Sequence, residues 1–407
     1  MYIHFQFLKH QVMLRKTVPS VNTPIGSRLK HFRMQLNLTL EESSENICSI
    51  SYLSKVENNQ IRPSVKFLSR LESRYGITLG ETPTTAHDEL MSKLIDAFFY
   101  EDAFNLPDQF SFDIDYKSKL LNFGHTLIEN DYHKAKSLYF DLVTHLKCFT
   151  DLELSTFLYM VAKIFIDEGR LKDAFDCLNL TKPYDKKSKL AILIDKMKLE
   201  VSLLMNNHPY LMTHYQSLID LCLSHEYYHL VHQIRFSYLC YLAQFIKKED
   251  FDRALQQTSH FTDAQHAYLI AKHEYEHGSY QDCYNHLNGY IHYHKRNYML
   301  AIKALNKLNM KEELISLLQI PLKTNDIQYG LIIEYLKVKY LKKHQTPGSF
   351  IRSEVLKVHE LADNIEDLMF WYEEGMELFK EQGFYKDATQ LSQTIFQQMR
   401  QLAHYIS

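Results

Sequence analysis

The segment His273-Glu274-Tyr275-Glu276-His277 satisfies H-E-x-x-H, a spacing that puts two imidazoles one helical turn apart with a carboxylate between them. In a zinc protease both rings would bind one ion while the glutamate activates water. Against that chemistry, Gly278 and Tyr280 follow at once and read as a turn and a new helix, so the motif is the tail of a repeating helix. No convincing third ligand follows it, and 22 histidines make chance matches common. The expectation is a surface helix with unliganded histidines. In Ile291-His292-Tyr293-His294-Lys295 the imidazoles are two apart, on different faces of any helix, and are read as solvated. A Walker loop, a dinucleotide fingerprint and a nucleophile elbow are all missing. The chain is therefore read as a non-enzyme, with no catalytic residues, no metal and no cofactor.

Composition narrows the class further. The six cysteines, Cys48, Cys148, Cys177, Cys222, Cys240 and Cys283, stand singly and form neither a disulfide scaffold nor a zinc ribbon, which fits a reducing compartment. Apolar residues are 45% and charged residues 23%, while 11 Gly and 9 Pro leave few breakers, so long helices are favoured. No apolar run reaches the roughly 20 residues a membrane span needs, and the N-terminus lacks a signal-peptide core. A cytoplasmic, non-membrane protein is expected. The 407 residues suffice for two or three domains. Charge is uneven: residues 1–80 hold 11 Lys and Arg against 5 Asp and Glu, and the remainder holds 35 against 44. A basic head on an acidic body suits a head that meets phosphates.

The head must position polar side chains at a duplex. Residues 24–81 read as five short amphipathic helices, at 25–36, 39–46, 51–57, 64–75 and a weaker piece near Leu79. Residues 1–23 read as a disordered arm or a fringe on this domain. Thr39 caps a helix with Glu41 and Glu42 in its first turn and with Leu40 and Ile47 on its buried side. After the turn Ile47-Cys48-Ser49, Ser49 or Ser51 caps a second helix. There Leu53 and Val56 face inward, and Ile50, Ser51, Tyr52, Ser54 and Lys55 face outward. A helix of that kind lies in a major groove, with its first residues at base edges. Arg28, Lys30, Lys55, Asn58 and Asn59 suit phosphates, and Asn58-Asn59 makes the turn that ends the helix.

Over about 57 residues the runs IGSRLKHFRMQLNLTLEE, SYLSKVENNQIRPSVKFLSRL and YGIT resemble the Xre-type helix-turn-helix family. The stretch from Ser44 to Glu57, S-E-N-I-C-x-x-S-x-x-S-[KR]-[IV]-E, is similar to the Rgg/PlcR group of peptide-sensing bacterial regulators. Leu40 stands where the family often has Gln, and the turn is one residue shorter than the commonest Xre pattern, as in that group. The resemblance implies an all-α, lambda-repressor-like domain that binds operator DNA.

After a linker at 82–115, helical periodicity runs through 116–407. Units of one grammar recur as Asn130-x-Tyr132-x-x-Ala135, Gly169-x-Leu171-x-x-Ala174, Glu249-x-Phe251-x-x-Ala254, Gly278-x-Tyr280-x-x-Cys283 and Gly383-x-Tyr385-x-x-Ala388. They resemble degenerate tetratricopeptide repeats, with Leu158, Ala162 and Phe165 at the expected large, small and aromatic positions of one unit. Units between Pro183 and Lys248 and between Asn309 and Phe379 escape registration. An α-solenoid of such pairs presents a groove lined by the first helix of each. Those helices carry Tyr159 and Lys163, then Arg235, Tyr238, Tyr241 and Gln244, then Tyr268, Lys272 and Tyr275, aromatic anchors mixed with donors for peptide carbonyls or a carboxylate. With 28 tyrosines in the chain, most must simply pack between repeats.

The Rgg/PlcR resemblance implies a quorum-sensing transcriptional regulator whose repeat domain binds a short signalling peptide and forms a homodimer on a near-palindromic operator. The alternative is a repeat-based interaction scaffold with a vestigial or autoregulatory DNA-binding head. A third possibility leaves the repeats as a dimerisation scaffold that binds another ligand or none.

Overall fold

The computed structural model describes residues 3–14, 25–58, 60–76, 84–107, 115–182, 187–258, 261–342, 345–357 and 361–406. Among them the chain is all helix and turn, with no strand. The helices are α1 Phe5–Met13, α2 Ile25–Gln35, α3 Leu40–Ser44, α4 Ile50–Glu57, α5 Val65–Tyr75, α6 Thr84–Tyr100, α7 Tyr116–Ile128, α8 Tyr132–Val143, α9 Asp151–Asp167, α10 Leu171–Asn179 and α11 Lys189–Leu204. There follow α12 His208–Ser224, α13 Tyr228–Leu242, α14 Lys248–Gln256, α15 Asp263–Glu276, α16 Tyr280–Leu287, α17 Lys295–Leu308, α18 Lys311–Gln319, α19 Ile327–Tyr340, α20 Pro347–Phe350, α21 Ile365–Glu381 and α22 Tyr385–Ile406. No described helix is long and apolar enough to cross a membrane.

The chain divides into two compact units, one of residues 1–164 with 176–194, the other of residues 165–175 with 195–407. The division cuts through α9, α10 and α11. The N-terminal arm, read as disordered or as a fringe on the first domain, is helical in part. Residues 5–13 form α1, with Ile3, Phe5 and Leu8 buried, because apolar side chains at that spacing share one helical face. The piece expected near Leu79 lies outside the described residues.

In the first unit, α2 to α5 close over Leu29, Leu53, Val56, Phe67, Leu71 and Tyr75, with Leu40, Ile47 and Cys48 packed at the margin. Helices α3, α4 and α5 each start where a side chain supplies a missing acceptor. Thr39 forms a reciprocal capping box with Glu42, Ser49 accepts from the Tyr52 N–H, and Ser64 accepts from that of Phe67. Gly76 ends α5 in the left-handed conformation, φ 66°.

The repeats are built on one recurring turn. At seven described helix ends of the repeats an N–H that follows a left-handed residue reaches back five residues to a carbonyl: Asp131 to Thr126, Arg170 to Phe165, Asn207 to Ser202, Tyr227 to Cys222, Ser279 to Glu274, Met310 to Leu305 and Phe384 to Phe379. The residue before each donor is left-handed: Asn130, Gly169, Asn206, Glu226, Gly278, Asn309 and Gly383, with φ between 56° and 82°. This is the Schellman closure, which satisfies the last carbonyls of one helix and aims the chain at the next. Asn206, Glu226 and Asn309 mark the turns that sequence grammar failed to register. Glu249, by contrast, sits inside the first turn of α14 and makes no such closure, so that unit was placed on the wrong residue. The small residues Ala135, Ala174, Cys283 and Ala388 are buried at the helix contacts, as are Leu158, Ala162 and Phe165.

Candidate functional site

Leu53 and Val56 anchor α4 in the core, which fixes the residues on its other side. Ile50 is 47% exposed, Ser51 and Lys55 are exposed, and Ser54 is half-buried. Tyr52 differs from expectation. It is half-buried, its ring edge-on to Phe67 at 5.0 Å, so packing accounts for its position. The hydroxyls of Thr39 and Ser49 are occupied as caps. Asn58 ends α4, its amide donating to the Ser54 carbonyl at 2.7 Å, while its own carbonyl accepts from the Cys148 thiol at 2.8 Å. Lys30 is half-buried and close enough to His145 to add to the burial that lowers that imidazole's pKa to about 4. The side chain of Arg28 and all of Asn59 lie outside what the structure describes.

Two arginines hold this domain together, and sequence reasoning missed both. Arg33 donates twice to Glu57, at 2.7 and 2.9 Å, and also to the Leu38 carbonyl. Glu57 is 2% exposed, so α2 and α4 are joined by a buried bidentate pair. Arg74 reaches the carbonyls of Glu42 and Glu45 and closes the end of α3. A glutamate directly after the inward Val56 was the available signal, since a carboxylate there needs a partner. Arg62, Lys66 and Arg70 are exposed on and before α5, adding cations the sequence reading left unnamed.

The second unit holds a cavity of about 210 Å³. Four expected groove residues, Gln244, Tyr268, Lys272 and Tyr275, line it. The other five do not. Tyr159 is 4% exposed and packs on Phe98, with Lys163 also over that ring, both within the first unit. Tyr238 stacks on Tyr215 at 4.1 Å, Tyr241 is buried with its hydroxyl bonded to His208, and Arg235 is half-buried away from the cavity. Residues the sequence reading did not assign to the groove complete the wall: Tyr280 and Glu276, Arg296 and Lys303 of α17, Tyr329 of α19, and Glu366, Met369 and Phe370 of α21. Half of these, Tyr329, Glu366, Met369 and Phe370, lie in the stretch after Asn309 where repeat grammar had failed.

The wall is charged and mostly self-compensated. Lys272 donates to Glu276 at 2.5 Å and Glu366 at 2.6 Å, and Gln244 also donates to Glu366. Burial opposes the Lys272 charge, but Glu366 and Glu276 outweigh it and hold the ammonium well above its ordinary pKa. Lys303 is paired with Asp367 at 3.0 Å. Burial raises the pKa of Tyr268, Tyr275 and Tyr329, so these phenols stay protonated and can donate.

The H-E-x-x-H segment is occupied by packing. His273 is 3% exposed, contrary to the surface helix expected, and stacks between Phe251 and His277. Its Nε2 faces the Ile246 carbonyl at 3.1 Å, an acceptor only, so that nitrogen carries the proton. Glu274 is paired with Lys248 at 2.6 Å. Of the second histidine pair, His292 is exposed while His294 caps α17, its Nδ1 accepting from the Arg296 N–H. Among the described residues no group of three His, Cys, Asp or Glu could hold a metal.

Residues 29–81 match the helix-turn-helix family model HTH_3. No curated protein matches the sequence. A Rap protein complexed with Competence and Sporulation Factor shares the fold, with a TM-score of 0.55 and 14% identity over 79% of this chain and 99% of that one. Bacillus thuringiensis PlcR in complex with the peptide PapR7 and DNA matches at a TM-score of 0.34 and 16% identity, over 61% of this chain and 99% of that one. A PrgX mutant matches at 0.21 and 17% identity, over 76% and 99%. Residues 29–81 are a helix-turn-helix domain of the Xre type, carried on a chain whose remaining helices fold as repeats.

Proposed function

We propose that this protein is a sequence-specific, DNA-binding transcriptional regulator controlled by a short intracellular signalling peptide bound among its repeats. The observation that carries the reading is the helix-turn-helix match at 29–81, with the start of its second helix open: Ile50, Ser51 and Lys55 are exposed while Leu53 and Val56 hold the helix to its core. On this reading Ser51 and Ile50 meet base edges, and Lys55, Lys30, Arg62, Lys66 and Arg70 meet phosphates. The tyrosine-lined cavity supports the sensor half, and the Rap protein that shares the fold was captured with a signalling factor bound. Residues 24–81 act as the DNA-binding domain, 82–115 as the linker, and 116–407 as the sensing and dimerisation domain of a cytoplasmic homodimer on paired half-sites.

The test is binding of the purified protein to its own upstream intergenic DNA and to random DNA across a salt series, with and without short peptides encoded nearby. Sequence preference at fixed salt, altered by one of those peptides, is the expected result. Salt-sensitive binding without preference would instead favour an interaction scaffold with a vestigial head.

A further inference from the structure

Within the cavity one cation differs from the rest. Lys272 and Lys303 are each paired to carboxylates, and Lys307 behind them is paired to Glu373 at 2.7 Å. Arg296 lines the same cavity, yet among the described residues its guanidinium has no carboxylate within ion-pair distance and no hydrogen bond. Burial opposes its charge, and Tyr268, Cys240 and Tyr329 favour it through space, as does Glu200, a carboxylate already paired to Lys196. Arg296 also stands in the first turn of α17, which carries no acidic residue there and where the helix dipole disfavours a cation. Its neighbour Lys295 meets that cost by pairing with Asp167 at 3.2 Å. Tyr268, Tyr275, Tyr280 and Tyr329 line the cavity with hydroxyls that make no hydrogen bond to a described residue. A half-buried guanidinium left bare among free phenol donors is costly unless something accepts from it.

On this basis we infer that Arg296, with Tyr268 and Tyr329, is a recognition site for a carboxylate of the signalling peptide, seated beside an apolar pocket for the adjoining side chain. The pocket is formed by Met299, Leu300, Ile365, Met369 and Phe370. The inference rests on the peptide-sensing reading and adds the chemistry of what is read. At about 210 Å³ the cavity is smaller than the several hundred Å³ of a site that encloses a whole ligand, so it holds one end or one residue of a chain. The carboxylate comes from the peptide's C-terminus or from an acidic side chain. Glu276 and Glu366 share the Lys272 ammonium, so carboxylate oxygens remain to accept amide N–H groups of the ligand.

The test uses the full chain and saturation-transfer NMR with three probes: N-acetyl-leucine, N-acetyl-leucinamide, and the α-amide of N-acetyl-glutamic acid. Saturation of N-acetyl-leucine, at least threefold stronger than that of its amide and lost in Arg296→Gln, is expected. Tyr329→Phe keeps the ring and removes one donor, and is expected to weaken the acid's signal severalfold while leaving the thermal midpoint in place. A stronger response from N-acetyl-leucine than from the glutamyl probe assigns the chain end, and the reverse assigns a side chain. Equal signals from acid and amide, an unchanged signal in a folded Arg296→Gln protein, or no signal from any acid would overturn the inference. If nearby-encoded peptides still shift operator binding in that case, the sensor reading stands and only the carboxylate site is lost.

Discussion

His87 and Lys55 show how single side chains set measurable properties. His87 is 5% exposed in α6; neither ring nitrogen makes a hydrogen bond, and the Asp88 carboxylate stands 3.6 Å from its Nδ1. Burial, then the Lys117 ammonium, lowers its pKa to about 4 from an ordinary value near 6.5. Between those values the unfolded chain binds the proton and the folded one does not. Stability from His87 is therefore complete above pH 6.5 and lost as pH falls toward 4, by about 3 kcal/mol at most. His87→Leu removes both that linkage and two buried nitrogens that make no hydrogen bond. Urea melts are expected to show the variant no less stable at pH 7.5, with its advantage over the parent growing at pH 4.5; parallel pH curves would refute this. Lys55 makes a different kind of contribution. If it meets a phosphate, Lys55→Ala weakens binding to operator and random DNA alike and lowers the slope of log K against log salt by about 1. A loss confined to the operator would place Lys55 at a base instead.

Among elements, the joint between α2 and α4 is the most exposed to damage. Arg33 and Glu57 form a bidentate pair with Glu57 buried, so removing one partner strands the other charge. Glu57→Ala is expected to cost about 3–5 kcal/mol and abolish DNA binding, whereas Arg33→Met with Glu57→Leu recovers most of the stability. Chemical denaturation of the three proteins decides it: a Glu57→Ala domain as stable as the parent would show the pair to be dispensable. Gly375 makes a second weak point, because a methyl there would fall inside the buried Leu391 side chain where α21 meets α22. Despite alanine's higher helix propensity, Gly375→Ala is expected to lower stability by about 1–2 kcal/mol. These elements also show what was legible in the sequence. The helix-turn-helix was, because caps at Thr39, Ser49 and Ser64 and apolar spacing act locally. Repeat turns at Gly169, Gly278 and Gly383 were legible too, since glycine tolerates positive φ at no cost. Turns at Asn206, Glu226 and Asn309 use the same backbone with less telling residues, so the helices beyond Asn309 that complete the cavity stayed unregistered. Tyr159 was misjudged because exposure of a tyrosine on a helix depends on which neighbour packs there, here Phe98, and no local pattern encodes that.

For the whole molecule, the helix-turn-helix domain and the cavity belong to different compact units, and on the proposed reading control of one by the other is a coupling free energy between two sites. On the proposed reading, the excess of Lys and Arg within residues 1–80 and of Asp and Glu in the remainder favours nucleic acid at the helix-turn-helix domain over the repeats. If the peptide changes operator affinity by a given factor, thermodynamic linkage requires operator to change peptide affinity by that same factor. Coupling of about 1–3 kcal/mol, a 5–150-fold change, is the usual range. Two titrations close the cycle: operator binding with and without saturating peptide by fluorescence anisotropy, and peptide binding with and without saturating operator by calorimetry. Equal factors well above one, abolished together by Arg296→Gln, are expected. Unchanged affinities in both titrations would mean that the peptide binds the two states equally, and a ligand of that kind can shift nothing however tightly it is held.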